Sequence, residues 1–208
     1  MAETLQARSP VQTEAGTQAG RGTAWSFVLA GIVGLAAAFT LLVEKIALLK
    51  DSSYVPSCSI NPVLSCGSVM NTDQAEAFGF PNPILGVAGF TGLLTIGVIL
   101  LTRLTLPRWF WWGIQAGTTF GVVFVHWLIF QSLYRIEALC PYCMVVWVTA
   151  ITAFVAATTQ NVTSGRLGLP RRAEAIGSYA PSLVIVWLVL IAGLILVQFW
   201  DYWVTLLK

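Results

Sequence analysis

Residues 140–158 read CPYCMVVWVTAITAFVAAT. A Cys-x-x-Cys pair, Cys140 and Cys143, opens directly into an apolar run that continues to Thr158. Pro141 suits the first position of a helix, where its missing N–H would have no partner anyway. The spacing therefore predicts a helix capped by Cys140, with Cys143 in its first turn. The positive end of a helix favours thiolate over thiol, and thiolate is the form that exchanges disulfides. An inert buried pair or half of a metal site fits the same four residues, so the motif alone leaves its chemistry open.

That run is one of five. The 208-residue chain is 57% hydrophobic and only 10% charged, with a mean hydropathy of +0.78. Soluble domains carry about 25% charged residues, so the composition is that of an integral membrane protein in a lipid bilayer. A net charge of +2 gives no case for nucleic acid as a partner. Apolar spans are read at about 25–49, 83–102, 109–131, 140–158 and from 182 to about 203. Each is long enough to cross a core of ~30 Å at ~1.5 Å per residue. The first is too long for a signal-peptide core and follows no cleavage pattern, so it is expected to be retained. Residues 1–23 read as a disordered tail. Trp109, Trp111, Trp112, Trp200 and Trp203 fit interface anchors. Glu44 and Lys45, near the end of the first span, read as interfacial charges snorkelling outward.

Lysine and arginine counts set the expected topology. With the N-terminus cytoplasmic, Arg8, Arg21, Arg103, Arg108, Arg166, Arg171 and Arg172 lie inside, and Lys50, Arg135 and Lys208 outside. Residues 50–81, the one long loop, then lie on the extracytoplasmic side together with Cys140 and Cys143. This loop carries Cys58 and Cys66, and its apolar content suggests a lid with a short helix near residues 63–71. All four cysteines share the side where disulfides persist. Two pairs placed so can pass electrons by thiol–disulfide exchange. Other classes remain: a structural membrane subunit with a stapled outer loop, or a four-cysteine metal site, although Cys58-x7-Cys66 is wide for zinc.

Taken together, Cys58-x7-Cys66-Gly67-Ser68, the run Phe78-Gly79-Phe80-Pro81-Asn82-Pro83-Ile84-Leu85-Gly86, and Cys140-x2-Cys143 resemble the vitamin K epoxide reductase family, in particular its bacterial members. The resemblance covers most of residues 25–160. It implies an all-α membrane protein: a catalytic four-helix transmembrane bundle over 24–160 with lid loop 50–81, a cytoplasmic loop over 161–181, and a peripheral fifth helix and short tail over 182–208. It implies a quinone-dependent thiol oxidoreductase of the cell's inner (plasma) membrane. Such an enzyme reoxidises a thioredoxin-like, DsbA-type partner and reduces a membrane quinone of menaquinone, ubiquinone or vitamin K type, with no metal. A DsbA-type couple near about −120 mV needs an acceptor of still higher potential. In the other quinone-linked disulfide-forming family the Cys-x-x-Cys pair comes first, so the order here argues against it.

By the same resemblance, Cys58 and Cys66 are the loop shuttle pair, Cys140 and Cys143 the quinone-side pair, and Asn82 a hydrogen-bond donor to the quinone. Trp147 stands where the family often has tyrosine, and an indole N–H donates but cannot accept. Some relatives carry a fused thioredoxin-like domain; with none before Lys208, a separate partner is expected. Phe124 and Met144, with Phe90 and Phe120, are further candidates for an apolar quinone pocket. His126 reads as an interhelical hydrogen-bond partner rather than a proton carrier, and Ser68 as either a thiolate partner or a helix cap.

Overall fold

The computed structural model describes residues 19–166 and 174–206. The first eighteen positions of the expected tail, and 167–173 of the expected cytoplasmic loop, lie outside the described residues. The chain forms α1 (Arg21–Lys50), a short α2 (Cys66–Met70), α3 (Pro83–Leu101), α4 (Arg108–Gln131), α5 (Pro141–Thr163), α6 (Glu174–Gln198) and α7 (Trp200–Leu206). Five of these helices are long and apolar enough to cross a membrane. The protein is an all-α membrane protein, as the composition and hydropathy indicate.

Proline sets the starts. Pro83 follows the cap Asn82 in α3, Pro107 caps α4, and Pro141 follows the cap Cys140 in α5. None of these positions needs the N–H that proline lacks. α4 ends differently. Its last turn widens into a π turn over Ser132–Ile136, closed by Glu137 in the left-handed region at φ 54°. A single left-handed residue stops a helix sharply.

α1 packs against α3 and α5, α4 against α5, and α6 against α5. The peripheral α6 is tied to α4 by a half-buried polar contact. Trp187 Nε1 donates to His126 Nε2 at 2.9 Å, and His126 Nδ1 faces the Val122 carbonyl at 2.7 Å. Those partners require the proton on Nδ1 and leave Nε2 as acceptor. His126 is thus the satisfied interhelical partner read from the sequence.

Two features differ from the hydropathy reading. α6 begins at Glu174 and carries Pro181 inside it, ahead of the apolar segment expected from residue 182. Hydropathy marks what the bilayer holds, not where a helix begins; the apolar part is Ser178–Gln198. Trp111 is not at an interface but fully buried, with the Arg166 guanidinium 4.6 Å from its ring centroid. Trp109 and Trp112 remain exposed.

Small residues let α1 and α3 meet backbone to backbone. A Cβ on Gly31 would lie 2.8 Å from the Leu94 backbone, and one on Gly97 2.7 Å from the Val28 nitrogen. Backbone cannot step aside as a flexible side chain can, and overpacking costs about 1–3 kcal/mol or more. Gly97→Val should therefore lower the thermal midpoint in detergent by several degrees, whereas Gly92→Val, at a glycine with open space around it, should not.

Candidate active site

The lid reaches the bundle through one short register. Asn61 Oδ1 accepts from the Val63 and Leu64 N–H groups and turns the chain there. Leu64 then pairs in parallel with Leu139: Leu139 N–H donates to the Val63 carbonyl at 2.7 Å, and Ser65 N–H to the Leu139 carbonyl at 2.9 Å. The residue after Ser65 is Cys66, and the residue after Leu139 is Cys140. Ser65 caps α2, its Oγ accepting from Ser68 N–H. Ser68 serves that cap, its hydroxyl 2.8 Å from Ser65 Oγ.

The sulfurs follow from this register. Cys58 and Cys66 are joined in a disulfide, and Cys140 and Cys143 are free thiols. Cys66 Sγ lies 3.0 Å from Cys140 Sγ, with both residues fully buried. Cys140 caps α5 as expected, its Sγ accepting from the Cys143 N–H at 3.4 Å. The Cys143 thiol, followed by the backbone N–H groups of Cys143 and Tyr142, holds the Cys140 thiol below its ordinary range against the opposing pull of burial. The thiolate so favoured sits beside the disulfide it would exchange with.

Adjacent residues of α1 hold the lid from both sides of its disulfide. The Glu44 carboxylate accepts from the Ser57 hydroxyl at 2.6 Å, just ahead of Cys58. It also takes the Tyr54 hydroxyl, which holds that phenol above its ordinary range. Lys45 Nζ donates to the Met70 carbonyl at 2.7 Å and pairs with Glu76 at 3.0 Å. Glu76 is 38% exposed, so water screens that pair; the buried Met70 carbonyl is the firmer contact. Glu44 and Lys45 do not snorkel: they are 7% and 6% exposed. Once the lid folds over the end of α1 it supplies partners that no hydropathy reading contains.

A cavity of about 90 Å³ lies under the lid where all four bundle helices converge. Cys143, Trp147, Asn82 and Gln131 are among its lining residues, and the remaining wall is almost wholly apolar. Asn82 also ties the lid: its Oδ1 accepts from Ala77 N–H and its Nδ2 donates to the Gln74 carbonyl, leaving one amide hydrogen uncommitted. Phe124 and Met144 are not in the lining. Phe124 belongs to an aromatic stack with Phe120, Trp127 and the lid's Phe78, and Met144 packs in the core shared by α4, α5 and α6. Phe90 fills the notch at Gly34. Gln131 has no role in the sequence reading; the signal for it is a polar amide at the end of an apolar span. A larger hollow of about 380 Å³ lies at the other end of α1, near Arg21 and Arg103, and holds no cysteine.

Three sulfurs, those of Cys58, Cys66 and Cys140, lie within 4.8 Å of one another. Two of them are spent on a disulfide, and metal ligation needs thiolates. The arrangement is one for exchange. A model of the Vitamin K epoxide reductase family matches residues 25–158. No curated protein matches the chain.

Because the Cys143 thiol is the largest influence on Cys140, removing it has a defined sign. With Cys58–Cys66 closed, titration of thiolate absorbance should find Cys140 ionising below the ordinary thiol range. Cys143→Ala should move that midpoint upward; an unmoved or lower midpoint would contradict the stated cause.

Proposed function

The chain belongs to the vitamin K epoxide reductase family, and on that premise we propose that it reoxidises a thioredoxin-like, DsbA-type partner and passes the electrons to a membrane quinone. Membership makes it a membrane thiol oxidoreductase of a family that generally works with a quinone and a thioredoxin-like protein. The observation that carries the finer reading is the 3.0 Å separation of Cys66 and Cys140 sulfurs, with Cys143 opening onto the cavity. The cysteine excess on one side and the arginine excess on the other support an extracytoplasmic site in the plasma membrane.

Each step exchanges one S–S bond for another. A reduced partner attacks the Cys58–Cys66 disulfide; its second thiol resolves the adduct and leaves both loop cysteines as thiols. With Cys140 and Cys143 oxidised, the Cys66 thiolate attacks Cys140 and expels the Cys143 thiolate. Cys58 then attacks Cys66, closing the loop disulfide and expelling Cys140. The resulting dithiol beside the cavity, with the loop pair closed, is the arrangement described above. Closing Cys140–Cys143 releases two electrons and two protons, which convert quinone to quinol.

The cavity sets one requirement. At about 90 Å³ it is smaller than the ~150 Å³ that admits a benzene ring. Seating a quinone ring therefore requires the lid or α4 to move aside. The lid's stretch 71–81, which lines the cavity with Thr72, Gln74 and Ala75 and has no buried residue, is the element to yield.

Anaerobic mixing of the purified protein with a reduced DsbA-type donor and a quinone should produce quinol, followed by its absorbance. Cys143→Ala should abolish quinol formation while the donor still reduces Cys58–Cys66. No turnover with any quinone would overturn the assignment.

A further inference from the structure

Two polar atoms in the cavity wall are buried and have no hydrogen-bond partner among the described residues: Trp147 Nε1 and Gln131 Oε1. Such atoms are rare in folded proteins and mark places where another group completes the site. They differ in kind. Indole offers one donor and nothing else, whereas a primary amide offers two donors and an acceptor. Other lining groups are engaged: Asn82 Oδ1 and one of its N–H groups hold the lid, and the Thr72 hydroxyl bonds the Val69 carbonyl. Gln131 is also the last residue of α4 before its π turn. A π turn breaks the ordinary i to i−4 ladder, and such turns recur at functional sites.

The reaction under "Proposed function" demands this chemistry. A quinone ring oxygen is a hydrogen-bond acceptor. After two electrons and two protons have arrived, the same oxygen carries a hydrogen and must donate it or leave it unsatisfied. A wall that can only donate meets the oxygen's lone pairs in both states but leaves the quinol hydrogen without an acceptor. We propose that Gln131 is a binding residue for the ring oxygen in both oxidation states: its amide N–H donates to the quinone carbonyl, and its amide oxygen accepts from the quinol hydroxyl. The inference rests on the quinone reading and adds to it a residue on α4 that pairs with substrate as well as product.

Gln131→Met keeps length and volume while removing both donor and acceptor. Losing one hydrogen bond worth about a factor of ten in affinity should raise the KM for a short-chain quinone by roughly tenfold. The inhibition constant of the quinol product should rise by a similar factor. Quinone-free reduction of Cys58–Cys66 by the DsbA-type donor, and the thermal midpoint, should stay as in the parent protein. Gln131→Asn, which keeps the amide on a shorter arm, should recover part of the affinity for both forms. A folded Gln131→Met protein with unchanged KM would overturn the inference while leaving the quinone reading intact, as would a raised quinone KM with unchanged quinol inhibition. A parent protein that reduces no quinone at all would overturn the functional reading, and this inference with it.

Discussion

The pairing of Leu64 with Leu139 is the contact from which the site is built. Its two backbone hydrogen bonds contribute little in free energy, about 0.5–1.5 kcal/mol each. Their effect is register. Each partner runs directly into a cysteine, so fixing Leu64 opposite Leu139 brings Cys66 to Cys140. A slip of one residue would turn the lid's side chains to the opposite face and carry Cys66 away from the sulfur it meets. The devices around the pairing serve the same end. Asn61 turns the chain into it, Ser65 caps the helix that leaves it, and the π turn after α4 with Glu137 delivers Leu139 to it.

The lid is held firmly enough to keep that register and loosely enough to move. Beyond the Leu139 pairing it is anchored by polar contacts from Glu44 and Lys45, by Val63, Met70 and the Cys58–Cys66 disulfide packed against the bundle helices, and by Phe78 against Phe120 and Phe124. Hydrogen bonds to charged groups contribute about 1.5–3 kcal/mol against about 0.5–1.5 for neutral ones, so each of these charged contacts holds the lid more firmly than a single backbone bond of the pairing. The partly exposed Lys45–Glu76 pair is discounted by solvent. The stretch 71–81 beside the cavity, by contrast, has no buried residue, which suits a segment that must admit a ring the cavity is too small to hold.

The helices were legible because the bilayer imposes them. Runs of about twenty apolar residues, and prolines at Pro83 and Pro141, announce spans whatever the packing. The cap at Cys140 and a short helix in the lid near residues 63–71 were legible from Pro141 and from the loop's apolar content. What escaped was everything that depends on the lid folding over the bundle. Glu44 and Lys45 look like interfacial charges until Ser57, Tyr54 and Met70 arrive to meet them. Phe124 looks like a pocket residue because it is aromatic and near the right depth; its ring joins a stack with Phe120 and the lid's Phe78, one turn before the lining residue Leu128. Gln131 was passed over because nothing local separates an amide facing a cavity from one facing headgroups.

The central claim is that Cys66 and Cys140 are the atoms between which electrons cross from lid to bundle. It is tested most directly by mass spectrometry of the Cys58→Ser, Cys143→Ser double variant after mild oxidation in detergent. The 3.0 Å separation predicts near-complete formation of a Cys66–Cys140 disulfide within one chain. Two persistent free thiols, or dimers linked between chains, would contradict the account.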